Sequence, residues 1–212
     1  MIFASQAVLI NDEVKKHAIL AEDWSYRELA VLLHEWAERF NEEFALGLET
    51  PAIQIDRAPR RVIGTYRRGR NGLGLRHEIT VNTRHLDQPL AEILDTLLHE
   101  LLHEWQDLHG TPGKRNYHNV EFRNKAGSYG LIIDRQGRSL GVAPGLFLNL
   151  LGKHGVDTTV LTPVATVARK YLSGESKMKK WSCGCINVRA AVELKARCLD
   201  CGALFKRATP SW

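Results

Sequence analysis

Residues 90–109 read LAEILDTLLHELLHEWQDLH. Leu90, Ile93, Leu94, Leu97, Leu98, Leu101, Leu102, Trp105 and Leu108 recur at three- and four-residue intervals, the apolar stripe of a helix with one side in a core. Glu92, Asp95, His99, His103 and Gln106 follow a second stripe. Asp87 or Gln88 with Pro89 supplies a start, and Gly110 followed by Pro112 supplies a stop. The spacing predicts a helix that buries one face and offers a polar stripe to a cleft.

Inside that helix residues 99–103 are His-Glu-Leu-Leu-His. Residues four apart on a helix are vertical neighbours, so His99 and His103 can hold one metal ion together. Glu100 lies beside that face and reaches a metal-bound water without ligating the ion. This is the spacing of zinc-dependent peptidases. Zinc lowers the pKa of its water to roughly 7, and the glutamate takes the proton as water attacks a peptide carbonyl. The competing reading is a surface helix that happens to carry two histidines.

A catalytic zinc normally has three protein ligands, and three residues compete for the third place. His109 completes His-Glu-x-x-His-x-x-Gln-x-x-His, but Gln106 is a good helix former, so the helix continues and rotates His109 away from the His99/His103 face. Glu121 follows His103 by eighteen residues. His118 sits in Tyr-His-Asn-Val-Glu-Phe, beyond a Gly, Pro and basic loop from Gly110 to Asn116 that can reverse the chain.

All four cysteines fall within nineteen residues: Cys183, Cys185, Cys198 and Cys201. Cys-x-Cys, twelve residues, then Cys-x-x-Cys-Gly reads as a four-thiolate zinc ribbon whose metal is structural. The intervening Ile186 to Arg197 suggests a hairpin arm, and Ala203 to Phe205 a return strand. Two disulfides are the alternative, weakened by the lack of an export signal in Met1 to Ile10.

Together these features resemble the SprT-like metallopeptidases, whose eukaryotic relatives include the Spartan proteases. Their pattern is a His-Glu-x-x-His helix, a loop, then a histidine followed a few residues later by an aromatic; here that is His99, Glu100, His103, then His118 with Phe122. The family flanks its third histidine with glycines, whereas this chain has Tyr117 and Asn119, Asn being tolerant of left-handed backbone. The likeness covers most of residues 25–207. It implies His118 as third ligand, two zinc ions (one catalytic, one structural), and proteins crosslinked to DNA as substrates.

The charge is uneven. Residues 153–212 hold eleven Lys or Arg against four Asp or Glu, while residues 1–152 hold eighteen against twenty, for a net +5 over the 212 residues. A basic tail carrying Tyr171, Trp181, Phe205 and Trp212 reads as a nucleic-acid surface. Its candidate contacts are Lys179, Lys180, Arg189, Lys206 and Arg207. A second basic cluster spans Arg57 to Arg76 without an acid, with Arg67, Arg68 and Arg70 as further candidates. Solvated surface is the bland reading of both. No run is long enough to span a membrane, and reduced cysteines without an export signal place the chain in the cytosol or a bacterial nucleoid. Nothing in the sequence signals single- over double-stranded DNA, or an oligomeric state.

Around the central helix, Met1 to Asp23 gives no clear pattern. Ser25 can cap a helix to about Leu46 with Leu29, Val31, Leu32, Trp36, Phe40 and Phe44 on its apolar face. Ala52 to Ile55, Val62 to Tyr66 and His77 to Asn82 read as strands, with a turn at Asn71 to Gly74. A following helix is expected from His118 to about Leu131, then a partly ordered connector from about Gly141 to Lys180. His17, His34, His77, His85 and His154 lack ligand spacing and read as structural, surface or loop histidines. The fold class is therefore α+β: a small zincin-like metallopeptidase domain (1–150) of helix, three-stranded sheet, metal helix and following helix. A connector (151–180) then leads to a zinc ribbon with basic tail (181–212). The last strand before the metal helix is expected to form the edge along which an extended substrate pairs.

Three functions follow from this reading. The first is a zinc metalloendopeptidase acting on DNA-bound or DNA-crosslinked proteins. The second is a non-catalytic nucleic-acid-binding adaptor on a peptidase fold, against which the intact Glu100 argues. The third is a peptidase independent of DNA.

Overall fold

A computed structural model describes residues 2–161 and 178–208, in a chain that divides into two units, Met1–Val167 and Ala168–Trp212. The first unit opens with helix α1 (Ile2–Leu20), where the sequence offered no clear pattern. Buried Asn11 ties it down, its Nδ2 donating to the carbonyls of Thr50 and Arg76, each at 2.9 Å. Helix α2 (Arg27–Glu43) is the helix expected from Ser25 to about Leu46, shorter at both ends. Its buried residues are Ala30, Leu33, His34, Trp36, Ala37 and Phe40, so Leu29, Val31 and Leu32 sit at the margin of the stripe rather than within it.

Strands β1 (Ala52–Asp56), β2 (Gly64–Arg67) and β3 (Glu78–Asn82) form one sheet in the order β1-β3-β2. β1 runs parallel to β3, and β2 pairs antiparallel with it, Gly64 opposite Val81 and Tyr66 opposite Ile79. This corrects the expected layout: β3 is the central strand, and the free edge beside the metal helix belongs to β2. The burial of β3 explains the difference, since Glu78, Ile79, Val81 and Asn82 are all buried, as suits a strand covered on both faces.

Helix α3 spans Leu90–His109, with Ile93, Leu94, Leu97, Leu98, Leu101 and Leu102 buried. Each such side chain contributes about 1.5–3 kcal/mol of burial. Helix α4 (Val120–Tyr129) starts at Asn119, whose side chain accepts from the Phe122 N–H at 3.0 Å. It ends at Gly130, whose φ of 102° closes the helix before the expected Leu131. Strands β4 (Leu131–Ile133) and β5 (Ser139–Val142) then form a hairpin. Helix α5 (Leu146–Lys153) buries Phe147, Leu150 and Leu151. The stretch expected to begin a connector at Gly141 thus opens with core elements, because Leu146 to Leu151 is apolar enough to join the main cluster. Of that connector, residues 162–177 lie outside the described residues, as do Tyr171 and Trp212 of the aromatic tail.

The second unit holds β6 (Lys179–Ser182), β7 (Asn187–Ala190) and β8 (Lys206–Arg207) in the order β7-β6-β8. The hairpin partner of β7 is β6, upstream of the first cysteine pair, rather than a strand through Val192 and Leu194. Leu204 makes a single bridge to Arg197, and the return strand is β8.

Candidate metal centre and its cleft

The rise of α3 sets His99 and His103 on one face, and the loop before α4 returns His118 to them. His118 Nε2 lies 2.9 Å from His99 Nε2 and 3.0 Å from His103 Nε2. These spacings are close to the roughly 3.3 Å edge of a tetrahedron built on Zn–N distances of about 2.0–2.1 Å. Burial pushes His99 down to about 3 and His103 to about 2, the neighbouring imidazoles adding to it, and lowers His118 as well. Neutral rings with converging nitrogen atoms are what a divalent metal ion requires, so the three residues fit zinc. Phe122 backs them, its ring centroid 4.3 to 5.2 Å from each imidazole.

Glu100 is buried one step around α3. Burial pushes its carboxyl up to about 8, against the Tyr66 backbone N–H, which hydrogen-bonds the charged form. A cation on the neighbouring histidines would favour that charged form too. Strand β2 comes close enough for this contact because residue 64 is glycine. A Cβ there would meet Thr96 Cγ2 at 2.7 Å and Glu100 Oε1 at 3.2 Å. A cleft of about 570 Å³ opens here, walled by Ile63 to Tyr66, by His99, Glu100 and His103, by Asn116 and His118, and by Gln136 to Ser139. Asn116 closes one end, donating through Nδ2 to the Tyr66 carbonyl at 2.8 Å.

The other third-ligand candidates are engaged elsewhere. His109 Nε2 is 2.8 Å from the Gly47 carbonyl. Glu121 accepts from Gln106 Nε2 at 2.6 Å and from the Thr111 N–H at 2.8 Å, bracing the loop that carries His118. Asn119 acts as a helix cap with extended backbone, not a left-handed residue; the left-handed positions are Arg115 and Asn116.

His77, read as a surface or loop histidine, is buried and has a φ of 54°. Its Nδ1 is 3.1 Å from the Tyr66 hydroxyl and its Nε2 3.2 Å from Glu49 Oε2. The Tyr66 hydroxyl donates to Asp107 Oδ2 at 3.1 Å. Glu104 is fully buried beside them, and burial with the Glu49 charge pushes its carboxyl well above the usual range. This network holds Tyr66, and through it β2, against α3. Nothing in the spacing of these residues announces it.

In the second unit the four cysteine sulfurs also fall within 4.8 Å of one another. Cys183 and Cys185 are 3.3 Å apart, and Cys185 and Cys198 3.7 Å. A tetrahedral Zn–S site with bonds of about 2.3 Å has edges of roughly 3.8 Å, so this set fits zinc as well. All four are free thiols in this arrangement.

Among the suggested nucleic-acid contacts, Arg67 pairs with Glu78 at 2.9 Å and Arg68 with Asp107 at 2.8 Å, while Arg70 donates to the Gly74 carbonyl. Lys180 lies directly opposite Arg189 across β6 and β7, and Lys206 opposite Ser182 across β6 and β8. By strand alternation, Lys180, Arg189 and Lys206 share one face of that sheet.

Residues 33–133, a stretch that contains the metal helix, His118 and Phe122, match the model of the SprT-like family. Neither the curated proteins nor the solved structures hold a match to the chain. Among the described residues, no helix is long and apolar enough to cross a membrane.

Proposed function

We propose that the protein is a zinc-dependent endopeptidase that cuts proteins bound or crosslinked to DNA. The observation that carries the peptidase reading is three neutral imidazoles meeting beside a buried glutamate, in a cleft bordered by a free strand edge. His99, His103 and His118 would hold the catalytic zinc, and Cys183, Cys185, Cys198 and Cys201 the structural one. A zinc ion held in the first site would supply Lewis-acid chemistry and a water with a pKa near 7. Glu100 receives the proton of the attacking water and passes it to the leaving amine. Tyr66 holds the Glu100 carboxylate through its N–H.

The substrate lies along β2 as an added antiparallel strand. Outward-facing positions alternate along an edge, and Tyr66 directs its N–H to Glu100 and its carbonyl to Asn116. Gly64 is then the next outward position and takes the substrate backbone. The DNA role rests on the family resemblance and on the shared face of Lys180, Arg189 and Lys206. Like charges set directly opposite each other destabilise a sheet and favour an anionic partner.

The test is cleavage of a DNA-crosslinked protein with and without free single-stranded DNA, using Glu100→Gln as the blank. Cleavage that needs DNA and falls about 10²–10⁴-fold in the variant, at unchanged zinc content, is expected. Cleavage indifferent to DNA would leave a peptidase independent of it. Salt-sensitive DNA binding without hydrolysis, in a preparation with two zinc ions per chain, would leave the adaptor.

A further inference from the structure

The family match ends at Ile133, yet the next six residues return to the metal centre. Residues 134–138 are the turn between β4 and β5, and Gln136 to Ser139 wall the cleft. The turn is tightly bonded. Asp134 Oδ1 accepts from the backbone N–H groups of Gln136 at 2.8 Å and Arg138 at 2.9 Å, and Asp134 Oδ2 from Arg138 Nε at 2.7 Å. The Gly137 N–H closes it onto the Asp134 carbonyl at 3.1 Å.

Gly137 lies directly on the His118 ring. A Cβ built on it would fall 2.2 Å from His118 Cε1 and 2.8 Å from both Nδ1 and Nε2. Those three atoms form the edge of the imidazole that carries the nitrogen facing His99 and His103. A Cβ there would displace the ring, which also packs against Phe122 in a T-shaped contact, 4.8 Å between centroids at 86°. His118 is the ligand that most needs such support, because a short loop carries it, whereas His99 and His103 ride on α3.

We propose that Gly137 is a positioning residue for the metal centre: the β4–β5 turn is a backstop whose bare Cα fixes the His118 imidazole in its ligating place. This rests on the reading of His99, His103 and His118 as one zinc site. Gly137 also has a φ of +82°, which favours glycine without reference to His118. Gly74 separates the two effects, having a φ of +77° and nothing within 4 Å of a built Cβ.

The experiment is chelator competition on the full chain loaded with zinc, counting ions per chain, beside thermal unfolding. Gly137→Ala should weaken one of the two zinc ions by about 10–100-fold, the range found when a ligand's supporting partner is removed. The other ion should hold as in the parent, and the thermal midpoint should fall no further than in Gly74→Ala. Zinc affinity equal to the parent's would overturn the proposal. If Gly137→Ala fails to fold, Asp134→Ala loosens the turn without adding an atom near His118. It should show the same selective loss, with Asp134→Asn, which keeps the Oδ1 acceptor, restoring it; retained affinity in Asp134→Ala would equally overturn the proposal. His118→Ala separates the two levels. Losing one ion there but not in the turn variants removes the backstop alone, whereas losing none removes the three-histidine site itself.

Discussion

The three-histidine and four-cysteine clusters both suit a zinc ion, yet they stand on different foundations. The histidines sit on α3 and the adjoining loop, against a continuous core that includes Leu98, Leu101, Leu102 and Phe122. Of the described residues in the second unit, Trp181 and Cys198 are the buried apolar ones, while Val192, Leu199 and Leu204 are exposed. One cluster decorates a fold that burial already stabilises. The other lies among strands with little apolar surface to bury, so a metal bound there would supply the folding energy.

The sharpest way to break this comparison is to remove the metal. Chelation should leave the far-ultraviolet helical signal of the first unit largely intact while the amide resonances of β6, β7 and β8 lose their dispersion. Structural zinc is worth about 10–16 kcal/mol in such small domains, far above what one buried Trp provides. Dispersed β6–β8 resonances in excess chelator would show that the second unit folds without metal.

A smaller effect tests the other side. Phe122 is fully buried and touches all three imidazoles. Phe122→Ala should cost about 3–5 kcal/mol of stability, read by urea unfolding. It should weaken zinc at the histidines and spare the cysteine site. Full stability with normal zinc affinity would mean that the histidine site does not depend on the core beneath it.

The sequence was most legible where periodicity, end signals and chemistry agree, as in α3. The cysteine spacing was legible for a similar reason, since four ligands in two short pairs are local information. Long-range placement was not. The order β1-β3-β2 is invisible to a pattern of alternation, so the free edge was assigned to the wrong strand. His77 owes its burial to Glu49, Tyr66 and Glu104, which are scattered along the chain. His118 could be ranked above Glu121 only through a family resemblance, because a ligand fifteen residues beyond His103 is set by how a loop reverses. Nothing in the sequence analysis singles out Gly137, and only the approach of its Cα to His118 gives it a role. Helix α5 was missed because its apolar run sits among Gly and Pro.

The stability of the first unit should also carry an acid limit of its own. His34 is buried in α2 with no partner for Nε2. Burial, aided by Lys15 and opposed by Glu38, lowers its pKa to about 4. A histidine lowered in the folded state binds its proton more readily when unfolded, so stability is full above about pH 6.5 and falls as pH drops toward 4. At pH 5 the loss is about 2 kcal/mol, at 1.36 kcal/mol per unit. Urea midpoints of metal-free protein at pH 7 and pH 5 should show it within a larger loss, because His77, His99, His103 and His118 are lowered as well, and His34→Leu should remove about 2 kcal/mol of the difference. An unchanged slope in that variant would assign the acid sensitivity to other groups.

The smallest effect concerns charge in the second unit. Lys180 and Arg189 are direct cross-strand neighbours, a destabilising arrangement, whereas an opposite-charge pair in that place contributes roughly 0.2–1 kcal/mol. Replacing Arg189 with Glu should therefore stabilise the β6–β7 pair slightly, by converting repulsion into an ion pair. The same change should weaken DNA binding and reduce the salt slope of log K by about 1 for each phosphate that is no longer neutralised. The two readouts move in opposite directions, which a simple folding defect cannot produce. A variant that is more stable and binds DNA with the parent's salt slope would show that this basic face is solvated surface. The second unit would then be a metal-stapled structural piece, and the contrast between the two clusters would be one of folding alone.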